Sequence, residues 1–185
     1  MNNQDKDIEI AKLSKEESKN KPIDKRDYDR KIAEWQMFFL NNLNIFVREV
    51  MGVNLHFFQD QLLLEMWDSE VFAFIGSRGI GKSFLIAIFV VAVCLLLPNY
   101  QVTICSMTMG QGNLIVEEKI KKVLSSNTGL SKLLNQLVKE GYIEFGRDKD
   151  TGGALVKFGN NSTIVSAFIG ESLRGKNLKM TLSII

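Results

Sequence analysis

The sequence is poor in the residues that build stapled or metal-held folds. Among 185 residues there are two cysteines, two prolines and one histidine. Cys94 and Cys105 stand apart in apolar segments, so they read as buried free thiols in a reducing compartment, and no disulfide framework is expected. With His56 as the single histidine, a zinc site built from histidine and cysteine is not expected. Long apolar runs are also lacking. The most apolar stretch, Phe84 to Leu97, ends at Pro98 after about 14 residues, against the roughly 20 that a membrane-spanning helix needs. Neither sign of charge dominates: 23 Lys and Arg face 21 Asp and Glu, a net charge of +2. That balance alone does not argue for a nucleic-acid partner. The polar, charged N-terminus carries no legible secretory signal, and there are no repeats or low-complexity tracts. What is present is an ordinary globular composition, 45% hydrophobic and 24% charged, at a length that can bury one real core.

The strongest local signal is Gly76-Ser77-Arg78-Gly79-Ile80-Gly81-Lys82-Ser83, which fits the phosphate-binding pattern G-x-x-x-x-G-K-[ST]. Val71-Phe72-Ala73-Phe74-Ile75 before it reads as a buried strand, and the apolar stretch from Phe84 reads as a helix leaving it. Such a loop works by backbone chemistry. Glycines let the chain approach a phosphate closely, successive N–H groups form an anion nest, and the following helix adds unpaired donors. The Lys82 ammonium would reach the β- and γ-phosphates, and the Ser83 hydroxyl would ligate Mg²⁺. Arg78 adds a second cation inside the loop, whose planar fork suits phosphate oxygens. The expected ligands are a nucleotide and Mg²⁺, and the family resemblance below implies that the nucleotide is ATP.

Around this motif the chain falls into zones. Residues 1–31 alternate acids and lysines and read as a solvated, flexible or loosely helical arm. An amphipathic helix is expected from about Arg30 to Val50, with Trp35, Phe38, Phe39, Leu43, Phe46, Val47 and Val50 at helical spacing and Gly52 as its stop. A short helix opens at Phe58-Gln59 and ends near Trp67. After the apolar helix, Gln101 to Ser106 reads as a strand, Met107 to Gly112 as a polar loop, and Asn113 to Leu124 and Leu130 to Glu140 as helices. Tyr142 to Phe145, Ala154 to Phe158 and Thr163 to Phe168 read as short strands separated by the turns Asp150-Thr151-Gly152-Gly153 and Gly159-Asn160-Asn161. Thr181 to Ile185 reads as a last strand. In parallel α/β sheets functional residues gather just past the carboxyl ends of strands. That position lies beyond Ile185, so the sequence is expected to be a fragment cut before a catalytic position.

Taken in order, these motifs resemble the N-terminal ATPase region of large terminase subunits, the motors that package DNA into tailed-phage heads. Phe58-Gln59 with Leu62 and Leu63 is similar to the family's adenine-binding segment. Arg78 sits inside the P-loop as it often does there, and Ser106 and Gln111 are similar to a polar loop after the second strand. Gly170-Glu171-Ser172-Leu173-Arg174-Gly175 is similar to a glycine–arginine element before the Walker B strand. The resemblance covers roughly Ala33 to the end and lacks the family's Walker B acids, coupling motif and nuclease domain.

The resemblance implies a P-loop NTPase three-layer α/β sandwich over residues 32–185, with a mainly parallel sheet, an N-terminal helical extension and a β-hairpin-rich insertion. It also implies an ATPase that couples hydrolysis to translocation of viral DNA into a prohead. Gln59 would hydrogen-bond the adenine edge. Arg78 would contact the γ-phosphate from the same subunit, and Arg174 would serve either as a trans arginine finger or, with Lys176 and Lys179, as a DNA-backbone contact. The implied partners are double-stranded DNA, a small terminase subunit, a portal protein and further copies in a ring, with no membrane, in the cytoplasm of a bacterial host. Without the Walker B acids this chain is expected to bind ATP–Mg²⁺ weakly and turn over little. Other readings stay open: a helicase-like ATPase, which shares the upstream glutamine; a small-molecule kinase, against which the paired strands count; and a truncated nucleotide-binding module without catalysis.

Overall fold

The charged run after Asp24 and the aromatic periodicity that follows it are helical, in a computed structural model that describes residues 24–77, 79–122, 136–168 and 180–184. Helix α1 covers Lys25–Asn41. The single helix expected to reach Val50 is interrupted. Asn42 leaves the helical region at φ −133°, and its Nδ2 donates to the Phe38 carbonyl at 2.9 Å. Asparagine side chains compete for backbone groups in this way, and the Asn41-Asn42-Leu43-Asn44 run concentrates them. The chain resumes as α2, a short turn Leu43–Ile45 that continues as a π-helical segment Phe46–Val50. Gly52 ends it at φ +64°. Tertiary contacts divide the chain inside α1, after Trp35, and everything below belongs to the unit that begins at Gln36.

Helix α3 spans Phe57–Asp68 and α4 spans Lys82–Leu96. In α4 nearly every residue from Leu85 to Leu96 is buried, which is why its apolar run shows no amphipathic stripe. Helix α5 begins at Met109–Leu114 and continues as a π-helical segment Ile115–Ile120. It starts four residues earlier than the sequence suggests, inside the expected polar loop. Thr108 caps it, its side chain accepting from the Gln111 N–H at 3.3 Å. Gly112 reads as a loop residue, yet it is where the helix presses on the sheet: a Cβ there would come within 2.8 Å of Ser106 Oγ. Residues 136–139 are helical, with Gly141 at φ +77° as the stop. The rest of the expected helix from Leu130 lies outside the described residues.

Among the described residues, five strands form one sheet in the order β2-β3-β4-β1-β5: β1 Gln101–Ser106, β2 Ile143–Arg147, β3 Ala154–Phe158, β4 Thr163–Phe168 and β5 Met180–Ile184. β1 pairs in parallel with β4 and β5, while β2–β3 and β3–β4 are antiparallel. The sheet is therefore mixed; the expectation of a mainly parallel sheet holds only around β1. The hairpin strands are one continuous half of the same sheet, joined to the parallel half through β4. The β3–β4 turn also finishes α4. Asn160 Nδ2 donates to the Cys94 carbonyl at 2.8 Å, and Ser162 Oγ donates to the Leu97 carbonyl at 2.5 Å. These are carbonyls that a helix end leaves without an intrahelical partner.

One expected element does not form. Val71 to Ile75 joins no ladder, and Val71 and Ile75 are 91% and 98% exposed. A buried strand needs a neighbour to take its N–H and C=O groups. Among the described residues none flanks this segment, and β5 pairs only with β1.

Candidate functional site

Gly76 to Ser83 is a loop that runs directly into the N-terminus of α4. Gly79 and Gly81 adopt φ +87° and +90°, the left-handed region that is strained for any side-chain-bearing residue. Gly81 caps the helix, and Leu85 N–H makes the first intrahelical bond to its carbonyl at 2.9 Å. The N–H groups of Lys82, Ser83 and Phe84 precede that bond, and no side chain caps the helix. Unpaired donors at the head of a 15-residue helix favour an anion.

Lys82 folds back over its own loop. Its Nζ donates to the Gly76 carbonyl and, at 3.0 Å, to the Ser77 carbonyl. The ammonium is thus held at the loop by neutral acceptors that a phosphate oxygen can replace with stronger, charge-assisted bonds.

Beside the loop opens a cleft of about 370 Å³ lined by Ser77, Gly79, Gly81, Lys82, Ser83, Phe84 and Lys119. Among the described residues its charged lining consists of two ammonium groups and no carboxylate. The donor set of glycine backbone, two lysines and two serine hydroxyls suits a phosphate chain. For Mg²⁺ the lining offers serine hydroxyls and no acid, so Ser83 would supply one ligand beside phosphate and water oxygens.

Gln59 lies against this loop. It is buried at 7% exposure, and a Cβ on Gly81 would stand 3.0 Å from its Nε2. Its Oε1 accepts from the His56 N–H at 3.0 Å, so it also caps the start of α3. The structure thus brings Gln59, Gly81, Lys82 and Ser83 into one neighbourhood. Gly76, Ser77, Gly79 and Ile80 form the rest of the loop; a Cβ on Gly76 would meet the Phe74 ring at 3.1 Å and Ile80 Cγ2 at 3.3 Å. Arg78, Arg174 and the whole glycine–arginine element 170–175 lie outside the described residues. Gln111, in the first turn of α5, is exposed. Ser106 is buried, and its Oγ donates to the Thr108 carbonyl at 2.7 Å.

Lys119 is the lining residue that the sequence did not disclose. It follows Ile115 by four and Val116 by three positions, beside the buried stripe of α5. Its reach toward the loop depends on how α5 packs on α4, which no local pattern encodes.

Deep in the core, burial pushes the Cys94 thiol up to about 12 and raises Cys105 as well. Both are protonated and unreactive at neutral pH. No helix among the described residues is long and apolar enough to cross a membrane.

No protein-family model matches the sequence, and no curated protein matches it. Among solved structures, the chain is similar to the large terminase ATPase domain of Thermus phage P74-26, with a TM-score of 0.50 and 20% sequence identity over 74% of this chain. The match spans 55% of that chain's length. At this identity the likeness is one of fold, a mixed α/β domain.

Proposed function

We propose that this chain is the ATP-binding part of a DNA-packaging motor of the large-terminase type. The observation that carries the reading is the loop at the head of α4. Two left-handed glycines, a run of free helix N–H groups and the Lys82 ammonium lie at a cleft that no carboxylate lines among the described residues. A phosphate chain is the ligand that satisfies all three at once. The fold likeness to a phage large terminase ATPase domain narrows the class.

In this reading Lys82 binds the β- and γ-phosphates and Ser83 ligates Mg²⁺. Gln59, already against Gly81, reads the adenine edge. Arg78 supports the γ-phosphate in cis, and Arg174 acts in trans on a neighbouring subunit's nucleotide. Double-stranded DNA, a small terminase subunit, a portal protein and sister copies in a ring are the partners of the full motor, which works in the cytoplasm of a bacterial host.

A second reading, a nucleotide-binding module with little turnover, is favoured by one feature: no carboxylate lines the cleft among the described residues. Phosphoryl transfer in P-loop enzymes relies on an acid at the metal and a group that positions water.

Calorimetric titration of ATP–Mg²⁺ tests the proposal. Wild type binds, and Lys82→Ala loses at least roughly ten-fold in affinity, the scale of one charge-assisted hydrogen bond. A folded wild type that binds no ATP would refute nucleotide binding. Lys82-dependent hydrolysis by this chain would refute the second reading.

A further inference from the structure

We infer that Lys119 is a second phosphate-binding lysine, reaching the nucleotide from α5 across the cleft from Lys82. The inference rests on the nucleotide-binding reading above and adds to it a residue that lies outside the P-loop motif.

The placement follows from packing. Helices α4 and α5 lie against each other. Ile115, Val116 and Ile120 are buried on α5, so they fix which way the helix faces. Lys119, between Val116 and Ile120 in sequence, is half-buried at the margin of that contact. There it lines the same cleft as Gly79, Gly81, Lys82 and Ser83. The π-helical winding of Ile115–Ile120 sets its rotation. Single π-turns within α-helices are frequent where a helix presents a functional side chain.

The electrostatics point the same way. Lysine ammonium groups are strongly hydrated point charges. Two of them on one cleft repel, and among the described residues Lys119 makes no ion pair with an acid. Its neighbour Glu117 is instead engaged by Arg147, at 3.5 Å. A like-charged pair facing a common space is stabilised by a multivalent anion between them. Lys82, tethered to the Gly76 and Ser77 carbonyls, holds one side of that anion and Lys119 the other. Binding a di- or triphosphate would then clamp α5 to the head of α4, linking the nucleotide to the sheet region that α5 covers.

Lys121 is the control. It stands two residues on, exposed, with its ammonium 5.2 Å from the centre of the Phe145 ring, and it lines a different cleft, between α5 and the β2–β3 hairpin.

The test is titration of the full 185-residue chain with ATP–Mg²⁺ and ADP–Mg²⁺, comparing Lys119→Gln, Lys119→Arg, Lys121→Ala and Lys82→Ala with wild type. Lys119→Gln is expected to weaken ATP about ten-fold, and ADP by no more than ATP. Lys119→Arg should restore most of the affinity, and Lys121→Ala should leave it unchanged. The salt dependence of ATP binding should be shallower in Lys119→Gln, because one phosphate contact is gone.

A Lys119→Gln variant that binds ATP as wild type does, while Lys82→Ala fails to, overturns this inference and leaves the nucleotide-binding reading standing. Equal losses in Lys119→Gln and Lys119→Arg would overturn it too, because they would show a packing role. Wild type that binds nothing overturns both. A measurement without substitution runs in parallel: ATP should protect Lys119 and Lys82 of wild type from acylation, read by mass spectrometry, while Lys121 continues to react. Unprotected Lys119 in the presence of protected Lys82 refutes the contact.

Discussion

Val71–Ile75 and Thr163–Phe168 have the same local credentials for a strand and different fates. Both are rich in β-branched and aromatic residues. β4 sits between β3 and β1, hydrogen-bonded on both edges, with Ile164 to Ala167 buried. Val71–Ile75 joins no ladder, and its apolar side chains are exposed. The difference lies in what surrounds each segment. β4 is held by β1, by α4 and α5, and by a polar cluster in which Ser166 Oγ donates to Asn113 Oδ1 at 2.6 Å and the Ala154 N–H donates to Ser166 Oγ at 2.7 Å. Propensity alone does not make a strand; a neighbouring strand and a covered face do. The same contrast separates the two sides of the candidate site. The helix that follows the loop is a core element, whereas the segment that leads into it contributes almost nothing to the core.

The largest expected effect comes from truncating equivalent side chains in the two segments. Ile164 is fully buried, so Ile164→Ala should cost about 2–5 kcal/mol through lost transfer energy and a cavity. Ile75→Ala, at a position 98% exposed, should stay within about 0.5 kcal/mol. Urea unfolding of the two variants measures both. Comparable losses would mean that the segment before the loop is packed in solution, and the contrast would collapse.

How much of this was legible from residues alone follows the same line. The glycine loop ahead of α4 was readable because its determinants are local: glycine positions, a lysine and a helix start within eight residues. β1, β3 and β4 were readable because alternation and Gly-Asn turns bracket them. The start of α5 was missed because Gly110 and Gly112 signal a loop, although Gly112 is needed for the close approach to Ser106 and Ser166. The break at Asn42 was missed because aromatic spacing continues through it. The failure of Val71–Ile75 to pair and the approach of Lys119 to the loop both depend on elements distant in sequence. No window of residues carries either one.

A smaller effect sharpens the contrast from the β4 side. Gly153 has φ in a normal range, so its need for glycine is one of space: an added Cβ would fall inside the Ser166 carbonyl. That carbonyl is backbone and cannot swing away as a side chain can. Gly153→Ala should therefore cost about 1–3 kcal/mol by overpacking, with β3 and β4 forced apart locally. Gly79→Ala, with open space around it but φ +87°, should instead leave β4 intact and strain only the loop by roughly 1 kcal/mol. Amide exchange along β4 distinguishes the two: protection should fall in Gly153→Ala and hold in Gly79→Ala.

The effect smallest at neutral pH is a pH dependence confined to the packed side, which opens only in alkali. Cys94 lies on α4 beneath β4, its Sγ 3.9 Å from the Thr163 carbonyl. Burial raises its thiol from 9.0 to about 12, because the thiolate would lose its hydration there. The folded chain therefore holds that proton more tightly than the unfolded chain does. Stability from this group is unchanged below about pH 9 and falls as pH rises toward about 12, the direction required when the native state binds more protons. Replacing the thiol by Cys94→Ala should lower stability at neutral pH through lost packing and flatten the alkaline decline. Unfolding curves collected between these two pH values check the slope. An undiminished decline in the variant would place the titrating group elsewhere, with Cys105 and Tyr100, both also raised by burial, as the groups to substitute next.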